Sequence, residues 1–175
     1  MKIRKAILND AAQIAKVHVD SWRTTYKDIL PDEFLTSLSY EQRTTLWQKN
    51  VKEQQVYVVE KSNGKIIGFS VGGKERTGNY DGYDGEIYAI YIFKEYQGKG
   101  IGKMLMQPVV ENLELEGINS MIVLVLEDNP AKYFYESLGA KKIDTLKIKI
   151  ADAELNELVY GWDDMSKLLI REVKM

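Results

Sequence analysis

The amino-acid sequence predicts one α/β domain, a mixed sheet of about seven strands with helices packed beside it. Seven short segments carry strand patterning rich in Val, Ile and Tyr, and segments with helical three- and four-residue spacing lie between them. No repeat, low-complexity tract or Pro/Gly/Ser-rich linker divides the 175 residues, so residues 1–175 are read as one domain. Hydrophobic residues make up 45% of the chain, enough to bury a core without metal or disulfide staples.

Each element has a local cause. Ile3 to Ala6 is a short strand. Asn9-Asp10 starts a helix on which Ile14, Val17, Ser21, Trp22 and Tyr26 share one face, and Ile29-Leu30-Pro31-Asp32 breaks it. After a short helical piece, Ser39 and Gln42 form a capping-box pattern for a helix to about Asn50. Gln55 to Lys61 and Lys65 to Gly73 are strands joined through Asn63-Gly64, a pair that tolerates the positive φ of hairpin turns. Lys74 to Tyr83 is a polar loop. Glu86 to Phe93 is nearly continuous in apolar and aromatic residues, as a strand covered on both faces should be. A glycine-rich segment then opens a helix to about Glu116, with a kink expected at Pro108 and Gly117 as its end. Met121 to Leu126 is a strand, and Pro130 to Leu138 is a helix with Gly139 as its C-terminal cap. Lys142 to Ile150 and Leu155 to Trp162 complete the strands.

Composition narrows the function. A net charge of -2 and a pI of about 5.6 argue against a nucleic-acid binder, which needs a basic face. With no cysteine there is no thiolate nucleophile, disulfide or Cys–metal site, and the single His18 leaves little for a metal centre. The N-terminus has no apolar signal core, and no stretch approaches the roughly 20 apolar residues of a membrane helix. These features lead to the expectation of a cytoplasmic protein with neither nucleic-acid nor membrane partners.

The chemistry-bearing segment is Gln97-Gly98-Lys99-Gly100-Ile101-Gly102-Lys103, between a buried strand and a helix. Glycines let backbone N–H groups turn toward a ligand, and a helix start adds partial positive charge, so the segment suits a phosphate or pyrophosphate. Two nucleotide motifs fail on spacing. A Walker A loop needs one more residue between its glycines and a hydroxyl where Met104 stands, and a dinucleotide fingerprint needs G-x-G-x-x-G rather than G-x-G-x-G. A glycine-rich turn that binds nothing remains open at this point.

Gln97 to Gly102 matches the Q/R-x-x-G-x-G/A motif of the GNAT superfamily of N-acetyltransferases, preceded by a matching strand, Ile87 to Ile92. Asn129 to Ala140 is similar to a second block of that superfamily, N-x-A-x-x-F-Y-E-x-x-G-F/G, with Ala140 the one departure. The chain thus resembles a GNAT protein. The resemblance implies a central, mixed, mostly antiparallel twisted sheet and acetyl-coenzyme A as cosubstrate, with no metal. It assigns the pyrophosphate to the backbone of Gln97, Gly98, Lys99, Gly100, Ile101, Gly102 and Lys103. The pantetheine arm falls along Ile90, Tyr91 and Ile92, whose neighbouring strand splays away, and Asn129 takes a further coenzyme contact. Tyr135 stands at the family's usual general-acid position, with Tyr133 as its fallback. Glu86, eleven positions before Gln97, resembles the catalytic glutamate of histone acetyltransferases in this superfamily, against an alternative as an exposed strand-end carboxylate.

The acceptor side is less defined. Trp22, Tyr26 and Tyr83 are candidate substrate walls, with core packing as their alternative, and the same ambiguity covers Trp47, Tyr80 and Trp162. His18 is read as structural. Asp81, Asp84, Glu86, Asp163 and Asp164 could attract a cation, although loop carboxylates are usually just solvated. The reading is an acetyltransferase acting on a small cationic amine by direct attack, with a protein N-terminus or lysine as the competing acceptor. A coenzyme A-binding sensor without catalysis is the alternative of another class, and a homodimer is possible.

Overall fold

The computed structural model describes residues 1–170; residues 171–175, the end of the expected domain, lie outside the described residues. The chain runs β1 (Lys2–Lys5), α1 (Ala11–Thr25), α2 (Asp32–Ser37), α3 (Tyr40–Glu53), β2 (Gln55–Glu60), β3 (Ile66–Lys74), β4 (Gly85–Ile92), α4 (Ile101–Leu115), β5 (Met121–Leu126), α5 (Ala131–Ser137), β6 (Lys141–Ile150) and β7 (Ala153–Trp162). The strands form one seven-stranded sheet in the order β1-β2-β3-β4-β5-β7-β6. All neighbours are antiparallel except β4 and β5.

Most local signals act where the sequence places them. Ser39 Oγ accepts from Gln42 N–H at 3.1 Å and caps α3, which runs on to Glu53 rather than Asn50. Gly64 takes φ +82° in the turn between β2 and β3. Pro108 lies inside α4, which continues unbroken from Ile101 to Leu115. Ser70, fully buried on β3, donates to the Leu105 carbonyl at 2.8 Å, next to the Met104 carbonyl that Pro108 cannot serve. Arg4 joins β1 to Asp10 at 2.7 Å and to Glu60 of β2 at 2.6 Å.

The two faces of the sheet carry different helices. On β3, Gly68 and Gly72 lie against Leu105 and Val109 of α4, while Phe69 between them packs on Trp47 of α3 and His18 of α1. His18 Nδ1 accepts from Trp47 Nε1 at 3.0 Å, and its ring stacks on Tyr91 at 5.2 Å. Trp47 is therefore core, and His18 is a satisfied interior group.

Burial, with a smaller contribution from Arg43, lowers the His18 pKa from 6.5 to about 4. The unfolded chain therefore takes up this proton first as pH falls. The stability held in neutral His18 is fully present above pH 6.5 and is lost between pH 6.5 and 4, on the order of 2 kcal/mol after allowance for its partial exposure. Urea titrations from pH 7 to 4 check this: His18→Gln should show a shallower loss of stability than the parent chain, and parallel curves would contradict it.

Candidate active site

β4 and β5 pair only at Gly85, Glu86 and Ile87 with Met121, Ile122 and Val123. Beyond that point they diverge, and a cleft of about 790 Å³ opens between them, within the size range of small-molecule sites. On the other edge of β4, Ile87 and Ala89 face consecutive β3 residues, which makes Tyr88 the extra residue of a bulge. Phe93 N–H donates back to Ile67 of the β3 edge. By antiparallel alternation, Tyr91 turns its backbone to β3, whereas Ile90 and Ile92 turn theirs to the open edge. The Ile92 carbonyl is taken by Gln97 Nε2 at 3.0 Å and Ser21 Oγ at 3.3 Å. The Ile90 groups and the Ile92 N–H remain for a ligand that continues the sheet. Tyr91 also lines the cleft, although its backbone groups are turned to β3.

At the wide end, Gly98 and Gly100 adopt φ of +71° and +80°, conformations that favour glycine. Gly100 is the N-cap of α4 and supplies no side-chain cap, so the N–H groups of Ile101, Gly102 and Lys103 have no intrahelical acceptors. A Cβ on Gly102 would stand 3.0 Å from the Phe134 ring, which is how α5 comes so near this helix start. Gln97, Gly98, Gly100 and Gly102 line the cleft. The side chains of the other three expected residues point elsewhere: Ile101 is buried, Lys99 Nζ donates to Glu95 O at 3.0 Å, and Lys103 is exposed. Any contribution from these three is through backbone.

Tyr135 reaches the cleft from α5, packed against Phe134 and Trp162, and its hydroxyl has no hydrogen-bond partner among the described residues. Burial, then the neighbouring phenols Tyr91 and Tyr26, push its pKa well above the ordinary phenol value. Tyr133 points outward, 62% exposed. Tyr26 is buried at the cleft wall, and its hydroxyl accepts from Asn129 Nδ2 at 3.1 Å. Asn129 Oδ1 accepts from Ala131 N–H at 2.9 Å. Asn129 thus ties Tyr26, just after α1, to the start of α5, and its second amide hydrogen and second lone pair stay available at the cleft for the coenzyme contact the resemblance implied. Trp22 tilts on Tyr26 at 4.7 Å, and its buried Nε1 has no acceptor at hydrogen-bond geometry. It lies near the Tyr91 phenol, whose pKa it lowers against a larger rise from burial.

Glu86 is 3% exposed, not the solvated strand end of its alternative reading. It lines the cleft as an ion-paired group: Arg76 reaches Oε1 with Nη2 at 2.7 Å and Oε2 with its backbone N–H and Nε at 3.1 and 3.3 Å. The Arg76 guanidinium also lies 4.0 Å from the Tyr88 ring centre. Other candidates are not brought to the cleft. Tyr83 packs over Gly161 and donates to Asp163 at 2.5 Å, Tyr80 donates to Asp144 at 2.9 Å, and Trp162 donates to Leu138 O at 3.0 Å. Asp164 caps the turn at Ser166, and Asp81 and Asp84 do not line the cleft.

Sequence reasoning missed Arg76, the Tyr91 side chain and Glu157. Glu157 lines the cleft from β7, and its carboxylate has no hydrogen bond or ion pair among the described residues. Burial, then the charge of Glu86, raise its pKa. One signal was available: along β7 the inward positions run Ala153, Leu155, Glu157, Val159, so a lone acid interrupts an apolar alternation. Among the described residues no set of three or more His, Cys, Asp or Glu side chains is placed to hold a metal ion, and no helix is long and apolar enough to cross a membrane.

Comparison with known proteins agrees with this geometry. The model of the acetyltransferase (GNAT) family matches residues 19–140. The uncharacterized N-acetyltransferase YuaI of Bacillus subtilis (strain 168) is 40% identical over 166 residues, covering 95% of each chain. An N-acetyltransferase from Staphylococcus aureus Mu50 superposes with a TM-score of 0.72 at 22% identity, over 93% of this chain and 97% of that one. The PaiA N-acetyltransferase of Thermoplasma acidophilum, solved in complex with coenzyme A, superposes with a TM-score of 0.70 at 21% identity, over 92% and 98%.

Proposed function

Since the chain belongs to the acetyltransferase (GNAT) family, we propose that it transfers the acetyl group of acetyl-coenzyme A to the amine of a small cationic acceptor, by direct attack. The observation that carries this reading is the β4–β5 divergence, which joins an uncapped helix start at one end to a buried, partnerless phenol and two carboxylates within a single cleft. In this reading the α4 N-terminus and the Gly98–Gly102 backbone hold the pyrophosphate. The open edge at Ile90 and Ile92 pairs with the amides of the pantetheine arm, as a short added strand does. The Ile92 N–H is the donor placed for the developing oxyanion, and Tyr135 gives its proton to the departing thiolate. No covalent enzyme intermediate is needed.

The aromatic walls and carboxylates favour a cationic amine. Trp22, Tyr26 and Tyr91 form one side of the cleft, with Glu86 and Glu157 facing the same space. Thiol release from acetyl-coenzyme A, measured across polyamines, amino acid amides, aminoglycosides and peptides with free N-termini or lysines, tests the proposal. Turnover fastest with small cations is expected. Peptides as the better acceptors overturn the acceptor class, and tight coenzyme binding without turnover of any amine favours the sensor reading.

A further inference from the structure

We infer that Glu157, and not Glu86, takes the proton from the acceptor ammonium. The inference rests on the acetyltransferase reading and assigns the base within it. Two buried carboxylates share the cleft, but their surroundings differ. Glu86 stands where β4 and β5 are still paired, opposite Ile122, at the closed end of the divergence. Arg76 balances its charge and engages both of its oxygens. Its carboxylate is thus already committed to a cationic partner, whereas that of Glu157 is not. Glu157 pairs across the ladder with Leu126, at the last residue of β5, where the divergence is widest. Three residues beyond Leu126 the chain reaches Asn129, and α5 then carries Tyr135 into the same space. On β7, Glu157 shares a face with Leu155, which packs in the cluster of Tyr26, Leu30 and Leu126.

The groups facing Glu157 explain its readiness to bind a proton. Its charge is felt by the phenols of Tyr26, just after α1, Tyr91 of β4 and Tyr80 of the loop before β4, while Tyr135, Lys94 and the Arg76–Glu86 pair line the same cleft. Its ladder neighbours are apolar, Leu126 on β5 and Leu146 on β6. The carboxylate is half-buried and near a second negative charge, both of which raise its proton affinity, and no cation or donor partner among the described residues offsets the rise.

The proton balance is complete. The ammonium gives one proton to the Glu157 carboxylate, and the neutral amine nitrogen attacks the thioester carbonyl carbon. As the tetrahedral adduct collapses, the C–S bond breaks and the sulfur takes the Tyr135 proton. The second proton lost by the nitrogen returns to the Tyr135 oxygen, and Glu157 releases its proton to solvent. The products are amide, thiol and one proton.

The test compares the parent chain with Glu157→Gln and Glu86→Gln, using coenzyme A, acetyl-coenzyme A and 1,4-diaminobutane. Carboxyl NMR of the coenzyme A complex, labelled in glutamate side chains, should place the Glu157 titration above that of a free glutamate. Glu86→Gln should move it down, because a neighbouring negative charge is gone. An unshifted Glu157 overturns the inference whether or not an acceptor is found. In turnover, Glu157→Gln should lower kcat by about 100-fold at pH 7, erase the acid limb of kcat/KM, and leave acetyl-coenzyme A affinity unchanged. Part of the rate should return at high pH, where the amine is already neutral. A variant with a changed amine KM but the parent kcat and pH profile shows a carboxylate that only attracts the cation, and overturns the base assignment. Coenzyme binding without turnover of any amine rejects the acetyltransferase reading separately, since the NMR titration still decides the behaviour of Glu157.

Discussion

Tyr135→Phe is expected to lower kcat by about 100-fold or more while leaving acetyl-coenzyme A affinity and folding stability nearly unchanged. The asymmetry follows from what the hydroxyl touches. The ring packs against Phe134 at 5.4 Å and Trp162 at 6.0 Å, and phenylalanine keeps both contacts. The hydroxyl has no protein partner to lose, so the stability change stays within about 0.5 kcal/mol. What disappears is the proton that the proposed mechanism gives to the departing sulfur. Because burial and the nearby phenols raise the Tyr135 pKa, the group stays protonated throughout the usable pH range, and any alkaline limb below pH 10 belongs to another group. Steady-state kinetics at saturating substrates, together with thermal melts of both chains, check the prediction. An unchanged kcat removes Tyr135 as the acid.

Gly72→Ala is expected to cost about 3 kcal/mol and to disturb the site from behind. A Cβ at this position would stand 2.6 Å from Val109 Cγ1 and 2.8 Å from the Glu86 carbonyl oxygen. Neither atom is the end of a flexible chain. Val109 is locked in α4 against the sheet, and the Glu86 oxygen is backbone. Overpacking of this kind forces the helix or the strand to move. Gly72 pairs with Ile87 beside the Tyr88 bulge, so a shift of the strand is passed to Glu86 and to the start of the cleft. Urea unfolding should show the lost stability, and coenzyme binding should weaken even at temperatures where the variant is folded. A variant as stable as its parent would mean that α4 can withdraw from β3 freely. Gly73, one residue on, faces a side chain rather than backbone, the Tyr88 hydroxyl at 2.8 Å, so its alanine variant should be milder, at the cost of the Tyr88 bond to the Lys74 carbonyl.

Elements with local causes were legible in the chain. Ser39 before Gln42, Asn63-Gly64 and Gly139 act through neighbours a few residues away, and each performs the expected turn or cap. The glycines at 98 and 100 belong to the same class, since their positive φ values and the uncapped helix start depend on no distant residue. Boundaries drifted where the ladder extends beyond the pattern. β7 begins at Ala153 rather than Leu155, because its long antiparallel pairing with β6 carries the strand to the hairpin end. Side chains with a distant partner went astray. Tyr83 was a candidate wall of the cleft, yet its ring covers Gly161, where the missing Cβ leaves room, and its hydroxyl reaches Asp163. Asn129, by contrast, does line the cleft, and the sequence did not show that it also binds Tyr26 across 103 residues.

By itself the sequence determined the proposed grip on the donor. The hydrogen-bond donors of that grip are backbone groups at a helix start, and glycine spacing and helix position are written within a few residues. Only the tertiary structure decided which carboxylate is free to take a proton. Spacing from Gln97 drew attention to Glu86 and an interrupted apolar alternation marks Glu157, but neither local pattern shows which of the two carboxylates is ion-paired. Their difference arises because the loop before β4 returns Arg76 onto Glu86, while the order β4-β5-β7 sets Glu157 against Leu126 and near the phenols of Tyr26 and Tyr91. Charge pairing and desolvation depend on distance in space, and segments far apart in the chain meet only after the sheet has formed.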